Sequence, residues 1–443
     1  MREALLIHHV TAVPMDGSRT ALPDAYVIVE GAVIREIGTG LPAGFTGKRI
    51  DGGGGILMPG LVDAHTHLPM TLMRGYGDGH DLQEWLTRYI FPVEDRWDAR
   101  SIRAATRLAL CELISGGVTT VADMYYFCEE IAQEVAACGL NANLSRGISV
   151  FDAAGYEFGT HPSCRQARAL AEKWHGYGGG QIRVDMSVHA EYTSFACPQL
   201  WKDLSGYARE NGLGMQVHVS ETKKEQQECL ARWGRTPAAL LNEYGLWDVR
   251  AVAAHGVWLT PEDRALMAEK GVSVAHNPVS NLKLGSGIAP VPEWMEEGIN
   301  VCLGTDGVSS NNSHDMFEEM KTAVLLQNGT RCDPLALSAW DALEMATVNG
   351  ARALGRDTGR IAAGCDADLV LLDAGAPNLI PCHDPVSNIV YSARGSNVVM
   401  TRARGKILYE HGRFLTLDPD GIRKEISEYA LPHLFGAGPE EPR

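Results

Sequence analysis

The sequence predicts an α/β protein: a (β/α)8 TIM barrel with a discontinuous small β-sandwich domain built from its N- and C-terminal segments. Eight short apolar runs between residues 61 and 306 alternate with helical patterns, the arrangement of a parallel β/α barrel. The runs are almost continuously apolar, as strands covered on both faces are. Shorter strand-like segments stand at both ends of the chain and are read as joining in one small domain. The parts are therefore residues 1–57 (first part of the sandwich), 58–358 (barrel) and 359–443 (second part and tail).

In chain order, ALLIHHVTAV and AYVIVEGAVIREIG read as short antiparallel strands, with Glu30-Gly31 at a tight turn. His8 and His9 are read as strand residues rather than ligands. The glycine-rich RIDGGGGI (49–56) lacks GxxxxGK[ST], and no GxGxxG follows a strand and opens a helix, so no phosphate loop is expected. The barrel strands are LVDAH (61–65), VTTVAD (118–123), LNANLSR (140–146), IRVDMSVH (182–189), LGMQVH (213–218), VAAH (252–255), VSVAH (272–276) and INVCLGTD (299–306). Helix-like stretches such as SIRAATRLALCELISGG, EEIAQEVAACG and TPEDRALMAEKG lie between them, and several close on glycine as helix C-termini do. SHDMFEEMKTAVLLQNG and PLALSAWDALEMATVNGARALG follow as amphipathic helices. Strand patterns then return in DADLVLLD and NVVMTRARGKILYEHGRFL. The tail ISEYALPHLFGAGPEEPR reads as a short helix and a frayed end.

The 443 residues are 45% hydrophobic and 21% charged, which supplies a large core and excludes a disordered chain. A net charge of -16 argues against a general nucleic-acid or anionic-membrane binder. Ten cysteines show no CxxC pair and no bridge framework; Cys111, Cys138 and Cys302 sit in apolar runs as small core residues. MREALLIHHV lacks a secretory apolar region and no run approaches a membrane span, so a reducing cytoplasm is the expected location.

Chemistry enters at the strand ends. In PGLVDAHTH (59–67), His65 and His67 stand two apart and point to one side of an extended segment, which suits a divalent metal such as zinc. A lone His-x-His is a weak signal. The other runs, however, end in Asp123, Arg146, His189, His218, His255, His276 and Asp306. Barrel strands converge at their C-terminal ends, so these residues can meet in one mouth.

PGLVDAHTH, HVSE (218–221), AHGVWL (254–259), HNPVSNLKLGSGIAPVPE (276–293), LGTDGVSSNNSHDMFEEMK (303–321) and the late GRIAAGCDADLVLLD (359–373) together resemble the amidohydrolase superfamily. More closely they resemble its 5'-methylthioadenosine/S-adenosylhomocysteine deaminases, which are related to triazine hydrolases. The match spans nearly the whole chain.

The resemblance implies one metal per subunit, held by His65, His67, His218 and Asp306, with zinc expected and iron(II) as the alternative. Two-metal relatives carry a bridging lysine on the fourth strand; IRVDMSVH has none and ends in His189. By the same resemblance Glu221 is the acid/base that protonates purine N1, and Asp306 takes the proton of the attacking water. His255 should hydrogen-bond that water or the attacked centre, while His276 is read as holding the HNPVSN turn. Trp85 matches an aromatic wall, Glu94 a ribose-hydroxyl acceptor, His189 a nucleoside contact, and Arg146 a cation near the 5' substituent. Homologues that handle S-adenosylhomocysteine well carry a second arginine about a dozen residues later. None stands between Gly147 and Cys164 here; Tyr156, Phe158 and Gly159 occupy the region, with Arg165 and Arg168 as the nearest substitutes. A less charged 5' group is therefore expected. The implied partner is a small-molecule nucleoside, and the implied state a homo-oligomer.

Two other readings share this evidence. One is triazine hydrolysis or guanine deamination on the same site. The other is a metal-free scaffold on the same fold, which would be expected to lose ligands; all four are in place here.

Overall fold

The computed structural model describes residues 4–436. Eight parallel strands lie side by side in chain order: Leu61–Thr66, Val118–Tyr125, Asn141–Arg146, Ile182–Ala190, Gly214–Val219, Ala251–His255, Ser273–His276 and Asn300–Leu303. The last returns to the first through a parallel bridge between Thr66 and Asp306, where Asp306 N donates to the His65 carbonyl at 2.9 Å. The result is the (β/α)8 barrel that the alternation predicts. Leu61–Thr66, Val118–Tyr125 and Gly214–Val219 are buried along their whole length, which explains why they lack a two-residue alternation.

Helices cover the barrel, among them Ala99–Ser115, Cys128–Cys138, Pro198–Glu210 and Pro261–Lys270. Asp98 opens the first of these: its carboxylate accepts from Ser101 N at 2.8 Å, and Ser101 Oγ answers with the Asp98 backbone. Trp201, Trp247, Trp294 and Phe317 are fully buried between helices and strands.

The strands at the two chain ends form one mixed nine-stranded sheet. Its seam joins Ile56–Pro59 antiparallel to Leu369–Leu372, with Met58 opposite Val370. Gly60 then leads straight into the first barrel strand. A side chain there would meet Thr119 Oγ1 at 2.0 Å, so only glycine lets the two sheets join so closely.

Two elements differ from expectation. The helix expected in PLALSAWDALEMATVNGARALG is two, Ala339–Met345 and Val348–Ala353. Thr347 breaks it with φ -133 and ψ -90 while its hydroxyl caps the Leu343 carbonyl at 2.6 Å. HNPVSN is not a turn held by His276; Pro278–Lys283 is a short helix with proline in its first turn, and neither His276 ring nitrogen has a hydrogen-bond partner. The tail helices run to Phe435, and the end expected to fray, 437–443, lies outside the described residues. All ten cysteines are unpaired and eight are buried. No described helix is long and apolar enough to cross a membrane.

Candidate active site

The barrel topology brings five of the strand-end residues to one spot. Ligand atoms of His65, His218, His255 and Asp306 lie within 4.8 Å of one another, all buried. His67 joins them: its Nε2 is 3.2 Å from Asp306 Oδ1 and 3.3 Å from His218 Nε2. His65 Nε2 stands 3.6 Å from the same Asp306 oxygen and has no hydrogen-bond partner.

The surrounding bonds fix which atoms face inward. His67 Nδ1 donates to the Met124 carbonyl at 2.6 Å, and His218 Nδ1 to the His189 carbonyl at 2.7 Å. Both Nε2 atoms therefore face the same point, an arrangement that suits a shared cation. Asp306 Oδ2 is anchored by the hydroxyls of Ser280 at 2.6 Å and Ser310 at 2.9 Å, leaving Oδ1 to the imidazoles. Burial pushes the Asp306 carboxyl up, but the imidazoles of His65 and His67 beside it outweigh this and hold it well below the usual range. Burial holds His218 well below the ordinary imidazole value and brings His65 down to about 4. It pulls on His67 too, yet Asp306 drives that ring up to about 9. Once a metal ion takes the place of the His67 proton, neutral imidazoles with one ionised carboxylate are a donor set that suits zinc or iron(II).

Two residues of the cluster sit in left-handed backbone, His255 at φ 73 and Asp306 at φ 60. Such strain persists only where the surroundings over-determine it, as at functional sites. His255 Nδ1 donates to Asn281 Oδ1 at 2.8 Å, and its Nε2 faces Glu221 Oε2 at 3.8 Å. Glu221 is buried, and burial raises its carboxyl above the usual value. Of the remaining strand-end residues, Asp123 accepts from Leu68 N at 2.7 Å and His276 packs edge-on to Trp294, so neither enters the cluster.

A cavity of about 50 Å³ lies on the cluster, walled by Trp85, Glu94, His189, Glu221 and Tyr192 along with His67, His218, His255 and Asp306. Trp85 is buried and opens a wide π-type turn, Trp85–Ile90, a distortion frequent at functional sites. Glu94 is half-buried; burial brings its carboxyl up to about 7, against the Tyr125 hydroxyl and the nearby His67. Phe91, Glu94 and Tyr126 are shared with a larger outer cavity of about 760 Å³.

Arg146 lines that outer cavity, its guanidinium 4.6 Å from the Tyr126 ring centroid and its Nε bonded to Gln166 Oε1 at 3.0 Å. Neither suggested substitute for the second arginine lines it. Arg168 instead covers the Phe158 ring and donates to the Gly159 carbonyl at 2.9 Å. Lys173 does line it, in an ion pair with Glu129.

Several supporting residues were not singled out by the sequence. Asp63 is buried and accepts from Thr305 N at 3.0 Å and Thr305 Oγ1 at 2.6 Å, tying the first strand to the residue before Asp306. Its place inside PGLVDAHTH was the available signal. Ser280, Ser310 and Asn281 carried none, because a polar residue in a loop is ordinary.

A model of the amidohydrolase family matches residues 56–408. The chain is 41% identical over 429 residues to a 5-methylthioadenosine/S-adenosylhomocysteine deaminase of Moorella thermoacetica, covering 96% of this chain and 98% of that protein. It is 41% identical over 413 residues to a 5'-deoxyadenosine deaminase of Methanosarcina mazei, covering 92% and 94%. The crystal structure of an adenosine deaminase from Xanthomonas campestris with bound zinc superimposes at a TM-score of 0.89 with 32% identity, covering 96% and 97%.

Proposed function

The chain belongs to the amidohydrolase family, and from that premise we propose that it is a metal-dependent hydrolytic deaminase of adenosine-type nucleosides. Its substrates are 5'-methylthioadenosine, 5'-deoxyadenosine, S-adenosylhomocysteine and adenosine, each giving an inosine-type product and ammonia. The observation that carries this reading is a buried carboxylic acid, Glu221, beside a convergent cluster of four histidines and an aspartate, with a cavity leading away past Glu94 to Arg146.

His65, His67, His218 and Asp306 would hold one zinc ion per subunit, with iron(II) the alternative. His67 is preferred to His255 because its Nε2 faces Asp306 and His218, whereas the His255 Nε2 faces Glu221. A divalent cation there supplies Lewis acidity and lowers the pKa of a coordinated water towards ~7. Asp306 Oδ1 takes the proton of the attacking water, with Oδ2 held by its two serines. His255 Nε2 orients the attack at C6. Glu221 Oε2 gives a proton to purine N1, takes one from the hydroxyl formed at C6 and moves it to the departing amino group, which leaves as ammonia; the proton left on Asp306 then returns to Glu221. A raised pKa suits that task, because the acid must still hold its proton near neutrality. Trp85 and His189 flank the base.

Outward from the base, Glu94 accepts from the two ribose hydroxyls. Glu94→Ala should raise KM for 5'-deoxyadenosine about tenfold to a hundredfold, the worth of hydrogen bonds to a charged group. Its effect on bare adenine should be small; equal effects on both would remove the ribose contact. The 5' substituent lies in the outer cavity, where Arg146 meets the carboxylate of S-adenosylhomocysteine. With a single cation free for that purpose, neutral 5' groups are preferred. Arg146→Ala should raise KM for S-adenosylhomocysteine about tenfold and leave 5'-methylthioadenosine within about twofold. A comparable loss on both substrates would contradict this placement.

A triazine or a guanine has no ribose hydroxyls for Glu94 and no 5' substituent for Arg146, which is why the nucleoside reading is taken. Incubating the metal-loaded protein with 5'-deoxyadenosine should release one ammonia per deaminated product; no release would sink the reading. We infer a homo-oligomer in the cytoplasm, which light scattering and cell fractionation test.

A further inference from the structure

Glu225 is 1% exposed and has no part in the chemistry above. Its two oxygens accept from two successive backbone amides, Oε1 from Ser220 N at 2.9 Å and Oε2 from Glu221 N at 2.8 Å. Those amides form the turn that leaves the barrel strand Gly214–Val219. Ser220 stands there at φ 51, a left-handed conformation a serine keeps only when its surroundings hold it.

An acid in the first turn of Lys223–Trp233 has an ordinary explanation, helix capping, but that position is filled. Thr222 Oγ1 already caps this helix by accepting from Glu225 N at 3.1 Å. Burial also works against a carboxylate here, raising Glu225 to about 8, with Glu221 adding to the rise. What the carboxylate does provide is an acceptor for each of two buried amides that would otherwise be unpaired.

The far end of Glu221 is fixed separately. Ser286 Oγ donates to Glu221 Oε1 at 3.1 Å. Trp258 couples the two supports: its backbone N donates to the Ser220 carbonyl at 2.9 Å, and its Nε1 to the Ser286 carbonyl at 2.7 Å.

We propose that Glu225 and Ser286 are positioning residues for Glu221, Glu225 clamping its backbone turn and Ser286 its carboxylate, so that Oε2 meets the purine in a single pose. The proposal rests on Glu221 being the acid/base. Glu225→Gln puts an amide NH2 against a backbone N–H and opens the clamp. Ser286→Ala removes the second support with little change in volume.

The test compares wild type, Glu225→Gln, Ser286→Ala, Glu221→Gln and the two double variants, each metal-loaded, on 5'-deoxyadenosine. Glu225→Gln should lower kcat about tenfold or more, with KM and affinity for the deaminated product within about twofold and metal content unchanged. In the Glu221→Gln background the same substitution should add no further loss, since it acts through the group already removed. Unchanged kcat in the single variant, the same loss repeated in the double, or a fall in metal content alongside kcat would each overturn the proposal. Should Glu225→Gln fail to fold, Ser286→Ala decides: about a threefold or larger kcat loss that vanishes without Glu221 upholds it, and full or additive behaviour overturns it. A Glu221→Gln enzyme with near-normal turnover would instead overturn the acid/base reading itself.

Discussion

Glu221→Gln is expected to keep its metal and lose about three orders of magnitude in kcat, within the range supplied by one positioned acid/base. The substitution preserves shape, and the side chain is buried, so the Ser286 hydroxyl can still donate to the remaining carbonyl oxygen. What disappears is the exchangeable proton beside His255. The effect should fall on kcat and kcat/KM alike, because the lost interaction is made only in the transition state. Metal analysis accompanies the kinetics. A variant that is slow because it is empty would speak for a structural role of Glu221, and a full and active one would exclude it from the mechanism.

Stripping the metal is the second large effect. The chelated protein should show no measurable turnover and should melt at a lower temperature, both reversed by zinc or iron(II). Four imidazoles and a carboxylate converge in a buried volume, and without a metal ion only the proton shared by His67 and Asp306 offsets the rings that face one another there. A ligand present at 1,000 times its Kd adds about 4 kcal/mol to the folded state, which sets the scale of the melting shift. Asp306→Ala should reproduce the loss in the presence of added metal. Full activity after exhaustive chelation would mean that the cluster is a structural knot.

The barrel was legible because its strands end in residues that apolar runs rarely carry. His65, His67, His218, His255 and Asp306 all close such runs, and parallel topology has no choice but to bring those ends together. Local signals failed where tertiary contacts decide. Thr347 breaks a helix whose amphipathic pattern continues through it, since its hydroxyl finds the Leu343 carbonyl. HNPVSN reads as a turn from its proline and two asparagines, yet Pro278 starts a helix there. His276 has the same position in its strand as His255, but its ring points to Trp294 rather than the mouth, a difference of orientation that no spacing records. The supports behind the site were the least legible. Ser280, Ser310 and Asn281 are loop residues of ordinary type, and Glu225 looks like any acid in a first helical turn. Their roles come from partners 4 to 26 residues away or in another element, visible only once the chain is folded.

The central claim is that the site deaminates an adenine carried on a ribose. The most direct measurement is product release from metal-loaded protein at one enzyme concentration across 5'-methylthioadenosine, 5'-deoxyadenosine, S-adenosylhomocysteine, adenosine, guanine and a chlorotriazine, with chloride followed for the last. Ammonia from the adenosine derivatives, faster for the neutral 5' groups than for S-adenosylhomocysteine, is the expected result. Silence on every nucleoside, with turnover of guanine or the triazine, would contradict it.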